Sequence, residues 1–98
     1  MFFVYFIQSI KNNKVYVGKT SKDPTIRLKE HNSGSNTWSR NNGPFTLIYY
    51  EKYHCDKDAI SRELFYKTGF GKNIKKLIVD YMKNNNINVK LTGRSSDG

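Results

Sequence analysis

The chain opens on two short runs of β-branched and aromatic residues, 2–8 and 14–19, parted by the polar Lys11-Asn12-Asn13-Lys14. Asparagine tolerates positive φ, and polar residues between two such runs signal a turn, so the pair is expected to form a β-hairpin. The opening Met1-Phe2-Phe3-Val4-Tyr5-Phe6-Ile7 lacks a basic start, is soon broken by Gln8 and Lys11, and is far too short for a membrane span. Tyr5 and Tyr16 lie on consecutive strands of this hairpin. The register that sets them opposite each other aligns Val4 with Val17 and Phe6 with Val15 on the reverse face, burying four apolar residues together. A two-residue turn at Asn12-Asn13 would instead pair Tyr16 with Ser9. The apolar match favours the first register, and in both the tyrosines share a face.

Further elements follow in order. Asp23 can accept from free backbone N–H groups as an N-cap, Pro24 suits the first helical position, and Ile26 with Leu28 supply apolar contact, which predicts a helix to about His31. Asn32-Ser33-Gly34-Ser35-Asn36 and Asn41-Asn42-Gly43-Pro44 have loop chemistry, and Trp38-Ser39-Arg40 between them is expected in an exposed loop. Phe45–Tyr50 reads as a third strand. Asp56 or Asp58 can cap a second helix whose Ala59, Ile60 and Leu64 form an apolar stripe ending near Gly69 and Gly71. Ile74, Leu77, Ile78, Tyr81 and Met82 recur at helical spacing, with Lys72, Lys75, Lys76 and Lys83 on other faces. The expected fold is α+β: a three-stranded antiparallel sheet flanked by about three helices, one domain over residues 1–83. Residues 84–98 are expected to be a polar tail or linker remnant.

A chain of 98 residues can build one modest core but not two. Its 37% apolar and 14% aromatic content excludes a disordered polymer. Seventeen Lys and Arg against eight Asp and Glu give a formal charge of +9, a field that attracts polyanions. A phosphate backbone, an anionic membrane and an acidic protein would all answer to that charge; nucleic acid is the favoured partner, and no membrane partner is expected. The lone Cys55 excludes an internal disulfide, and with only His31 and His54 beside it no zinc cluster is expected. An intracellular, reducing setting fits.

Several residues carry candidate chemistry. Gly18 beside Lys19 would let a phosphate approach the strand end closely. Arg27 and His31, four apart on one helix, could present a guanidinium and an imidazole together. Glu63 could hold a divalent cation, or pair with Arg62 or Lys67 at the surface. Taken together, Tyr5, Val15-Tyr16-Val17-Gly18-Lys19, Arg27, His31 and Glu63 resemble the GIY-YIG endonuclease family in identity, order and spacing. Val4-Tyr5-Phe6 keeps only the tyrosine of that family's first motif, whereas Tyr16-Val17-Gly18 is nearly the whole of its second. The resemblance covers about residues 2–82. His31-Asn32-Ser33-Gly34, Ser39-Arg40 and Gly43-Pro44 look like the small stand-alone bacterial members and related structure-specific nuclease subunits, and Asn73 is placed where some homing relatives have an asparagine.

The resemblance implies a metal-dependent endonuclease that cuts DNA, duplex or branched with RNA not excluded, to 5′-phosphate and 3′-hydroxyl ends. Glu63 would bind one Mg²⁺ or Mn²⁺ ion, Arg27 would grip the scissile phosphate, and Tyr5 would take the proton of the attacking water, supported by Tyr16 and His31. Free tyrosine has a pKa of about 10, so this role needs a cation, supplied by Lys19, Arg27 or the metal, to favour the phenolate. Gly18, Lys19, Trp38, Arg40 and Asn73 would contact substrate. A separate recognition domain or partner subunit is a further possibility. The rival reading is a catalytically inactive basic nucleic-acid-binding module on the same scaffold.

Overall fold

The computed structural model describes residues 1–85, so of the expected polar tail only Asn84 and Asn85 fall within the described residues. The chain runs β1 (Phe2–Ser9), β2 (Val15–Thr20), α1 (Pro24–Asn32), α2 (Thr37–Asn42), β3 (Phe45–Tyr53), α3 (Asp56–Phe65) and α4 (Gly69–Asn84). The three strands form one antiparallel sheet in the order β2-β1-β3, which makes the fold α+β with four helices where about three are expected. Among the described residues, no helix is long and apolar enough to cross a membrane.

The hairpin forms, in a register between the two weighed from the sequence. Tyr16 pairs with Ile7, and Tyr5 pairs with Gly18. The turn decides this. Ser9 N–H donates to Lys14 O at 2.9 Å, Asn13 N–H returns to Ser9 O, and Asn13 takes the positive φ of 63° that its side chain tolerates. Ser9 Oγ, fully buried, accepts from the Lys11 and Asn12 N–H groups and donates to Asn42 O at 2.6 Å, so one hydroxyl pins both the turn and the end of α2. A glycine opposite Tyr5 is also required: a Cβ on Gly18 would lie 2.3 Å from the Tyr5 hydroxyl oxygen. Because the shift is two residues, each side chain keeps its face.

The sheet divides the core. On one face Val4, Phe6, Ile48, Ala59, Tyr66 and Val79 cluster beneath α3 and α4; on the other Tyr5, Ile7, Leu28, Phe45 and Leu47 pack against α1. A bulge at Ile48, where Phe6 faces Tyr49 but Ile7 faces Leu47, lets consecutive Ile48 and Tyr49 both serve the first cluster.

α1 starts as expected, with Asp23 Oδ1 accepting from Thr25 N–H at 2.8 Å. Trp38, Ser39 and Arg40 sit not in a loop but on α2, capped by Asn36, whose side chain accepts from Ser39 N–H. For α3 the N-cap is Cys55, and Asp56 and Asp58 fall in its first turn instead, where their charge meets the positive end of the helix dipole. Ile60 and Leu64 are exposed; the buried contacts of this segment come from Ala59 and Tyr66. Gly69 and Gly71 belong to the start of α4, whose N-cap Thr68 accepts from Gly71 N–H. A Cβ on Gly71 would lie 1.7 Å from Phe65 O, so the tight α3–α4 junction admits only glycine. On α4 the face turned inward is Gly71, Ile74, Ile78, Val79 and Met82, while Leu77 and Tyr81, expected on it, are 65% and 59% exposed. The sheet meets only part of this helix, so the apolar arc is wider than the buried one.

Candidate active site

Tyr5 comes from the central strand and is buried, with its ring over the bare backbone of Gly18. Its hydroxyl lies 3.1 Å from His31 Nε2, and His31 Nδ1 lies 3.0 Å from Ser39 Oγ. The hydroxyl of buried Ser39, the imidazole and the phenol thus form a continuous chain from α2 through α1 to the sheet. Asn32, the last residue of α1, locks the geometry: its amide donates to Phe45 O at 3.0 Å and accepts from Phe45 N–H at 2.7 Å. These two bonds fix the end of α1, and with it His31, to the start of β3.

Burial raises the pKa of the Tyr5 phenol above its ordinary value; Arg27, which faces it, pulls the other way, and the negative charges of Glu63 and Glu30 push it further up. Burial wins, so Tyr5 is a protonated phenol near neutral pH. Of the cations expected to favour the phenolate, Arg27 does pull the Tyr5 pKa down, though by less than burial raises it. Lys19 supplies no such field, because it pairs with Val4 on the opposite face and forms an ion pair with Asp56 at 2.8 Å. Burial also lowers the His31 pKa, helped by the Arg27 charge and opposed by Glu30. His31 is therefore neutral at pH 7 and has one nitrogen lone pair to offer.

Arg27 is held by Glu30, with Nη1 2.8 Å from Oε1, and keeps 30% of its side chain exposed. Tyr16 shares the Tyr5 face, two residues along, but its hydroxyl turns to α2: it donates to Asn42 Oδ1 at 3.3 Å and accepts from Asn12 Nδ2 at 3.2 Å. A cleft of about 110 Å³ lined by Tyr5, Tyr16, Gly18, His31 and Trp38 joins the two phenols. Glu63 stands on α3 and does not line this cleft; its charge acts on Tyr5, and its Oε2 accepts from Lys67 Nζ at 3.2 Å, the surface pairing that the sequence left open. Glu63 offers one hard oxygen donor, and among the described residues no group of three or more His, Cys, Asp or Glu could hold a metal.

Of the residues expected to contact substrate, Gly18 and Trp38 line this cleft. Arg40 does not: its guanidinium donates to Gly34 O and Thr37 Oγ1, bracing the α1–α2 loop, and it lines a separate cleft with His31, Ser39 and Pro44. Lys19 is turned away, and Asn73 is exposed on α4 and lines neither cleft. Ser39 and Asn42 are the partners that residue-by-residue reasoning missed. The signal for them was Asn36, whose capping of a short helix brings both inward.

A three-stranded antiparallel sheet that sets two tyrosines of a hairpin beside an arginine and a histidine of the next helix is the arrangement of a GIY-YIG nuclease domain. The GIY-YIG catalytic domain matches the sequence over residues 1–77, and the chain belongs to the GIY-YIG family. It is 34% identical over 68 residues to the UPF0213 protein CPE1444 of Clostridium perfringens (strain 13 / Type A), covering 68% of this chain and 71% of that protein. It is 31% identical over 88 residues to the UPF0213 protein in the ldhD 5′ region of Pediococcus acidilactici, covering 87% and 85%. These UPF0213 proteins are members of the same family. No solved structure matches the chain.

Proposed function

We propose that this protein is a metal-dependent endonuclease that hydrolyses phosphodiester bonds of DNA to 5′-phosphate and 3′-hydroxyl ends. The observation that carries the reading is the Tyr5–His31 contact of 3.1 Å, with His31 on the same helix as Arg27 and at the cleft that Tyr16 and Gly18 line. Hydrolysis needs a water stripped of a proton, charge neutralised at phosphorus and help for the departing oxygen. A protonated, buried Tyr5 serves by relay: the water's proton passes to the Tyr5 oxygen as the phenol's own proton moves to His31 Nε2. The resulting hydroxide attacks phosphorus, and the 3′ oxygen leaves with its bonding pair and takes a proton from solvent to give the 3′-hydroxyl, while His31 returns its proton to solvent. Arg27, oriented by Glu30, grips the scissile phosphate, and Tyr16 walls the cleft from the α2 side. Glu63 is the residue that would hold Mg²⁺ or Mn²⁺; such an ion takes hard oxygen donors and accepts a single carboxylate when phosphate oxygens and waters fill the remaining positions. When bound it supplies neutralisation of the charge that develops on the leaving oxygen.

Glu63→Ala and Arg27→Ala should each lower nicking of labelled DNA in Mg²⁺ or Mn²⁺ by about 100-fold or more while salt-sensitive binding persists. Cleavage that resists a chelator, or survives both substitutions, overturns the proposal. The Glu63–Lys67 ion pair favours one second reading, a basic binding module that keeps this scaffold without the reaction. That module would bind DNA and never nick it in either metal.

A further inference from the structure

β2 is an outer strand of the sheet, and its outer edge forms one wall of a third cleft that the tyrosine site does not account for. This groove, of about 290 Å³, is lined by Val15, Tyr16, Val17 and Trp38 on one side and by Tyr66, Lys67, Lys72 and Lys75 on the other. Lys75 Nζ donates to Val15 O at 3.1 Å, closing off the edge strand with a cation. Burial, and to a smaller degree the neighbouring charge of Lys72, lower the Lys75 pKa. No carboxylate lines the groove among the described residues; Glu63 reaches only Lys67. Trp38 stands at the mouth, stacked on Phe45 at 5.3 Å, with Tyr16 edge-on at 4.9 Å and 40% of its surface exposed.

A row of lysines beside an exposed indole fits a ligand that combines phosphate charge with an accessible π face. A groove of about 290 Å³ has room to enclose one nucleotide unit. A duplex keeps its bases stacked on one another, so none is free to lie on the exposed indole of Trp38. Tyr16, Val17 and Trp38 line this groove and the Tyr5–His31 cleft alike, so a strand lying in one leads into the other. We infer that the β2–α4 groove holds a single-stranded polynucleotide segment, its phosphates on Lys72 and Lys75 and an unstacked base on Trp38. The inference deepens the nuclease reading by naming the substrate class: nucleic acid that is single-stranded next to the cut.

Trp38 is the sole tryptophan of the chain, so its fluorescence reports on this groove and the adjoining cleft, and a substitution at Lys72, which lines only the groove, tells the two apart. The full chain is titrated in a chelator with oligodeoxythymidine, with oligouridine and with a blunt duplex of equal length. The indole should be quenched by single strands, which bind about tenfold tighter than the duplex at equal salt; the tighter of the two single strands identifies the preferred sugar. Lys72→Gln, at an exposed position, should leave the unfolding midpoint unchanged, weaken single-strand binding several-fold and lower the salt slope by about 0.7. Binding without any change in Trp38 fluorescence, equal affinity for the duplex, or a Lys72→Gln protein with unaltered affinity and slope overturns the groove. Because these titrations contain no metal, they stand apart from catalysis. Quenching by single strands that remain uncut in Mn²⁺ sinks the nuclease and keeps the groove, whereas a duplex cut without quenching does the reverse.

Discussion

The imidazole of His31 sits between two hydroxyls, and its protonation state follows from what each can give it. A neutral ring has one N–H and one lone pair. If Nε2 is to take the Tyr5 proton, Nδ1 must carry the hydrogen and donate it to Ser39 Oγ, 3.0 Å away. Ser39 is thereby a positioning residue, acting on the reaction through the tautomer of His31. Ser39→Ala should lower kcat about tenfold with KM little changed, and the ¹⁵N shifts of His31 should move from one tautomer to a mixture. A variant with full kcat and an unaltered tautomer would show that Ser39 only packs. In the intact protein the acid limb of the pH–rate profile should lie below about 6.5, because burial lowers the His31 pKa and keeps the ring neutral to more acidic pH.

At the scale of elements, the junction of β3 with α3 rests on one carboxylate. Glu51 accepts from Tyr49 at 2.8 Å, from Tyr53 at 2.6 Å, from Arg62 at 3.0 Å and also from Tyr66. Burial pushes the Glu51 pKa up, but the hydrogen bonds from Tyr53, Tyr66, Arg62 and Tyr49 outweigh it, and the net shift is downward. The phenols respond in the opposite sense: burial and the carboxylate raise Tyr49 and Tyr53 to about 12, so both remain donors. A folded-state pKa below the unfolded value means that Glu51 stabilises the fold above the ordinary carboxylate pKa, and that this contribution is lost as pH falls through the lowered value. Glu51→Gln should cost about 3 kcal/mol at neutral pH in urea unfolding, and the gap from the native protein should close as pH is lowered past that point. A gap independent of pH would mean that shape rather than charge is what Glu51 provides.

At the scale of the whole molecule, ion pairs engage most of the carboxylates among the described residues. Glu30, Glu51, Asp56, Glu63 and Asp80 are each engaged by a lysine or arginine, leaving the net charge of +9 to be expressed by the remaining cations. Nucleic-acid affinity should accordingly fall linearly with salt on a double-logarithmic plot. For about four single-strand phosphate contacts, raising salt from about 50 to about 200 mM should weaken binding roughly fifty-fold. Affinity that does not change with salt would remove the electrostatic basis of the interface.

Local patterns determined most of the elements and the identity of the candidate residues. Alternation and the Asn-rich turn specify the hairpin, Asp23-Pro24 starts α1, and the parity of strand pairing puts Tyr5 and Tyr16 on one face whichever even register holds. What local patterns could not reach was set by contacts distant in sequence. The register depended on the Tyr5 ring needing the missing side chain of Gly18 and on Ser9 bonding Asn42. α2 is too short to show a period, and its capping by Asn36 gains meaning only when Ser39 meets His31. Leu77 and Tyr81 fit a helical stripe as well as any core residue, yet the sheet is too narrow to cover them. Lys19 follows Gly18 in the chain and still faces away, because neighbours on a strand point to opposite sides. The sequence by itself thus determined which side chains could take part. Only the tertiary structure decided which of them meet, and that burial raises the pKa of Tyr5 and lowers that of the His31 beside it.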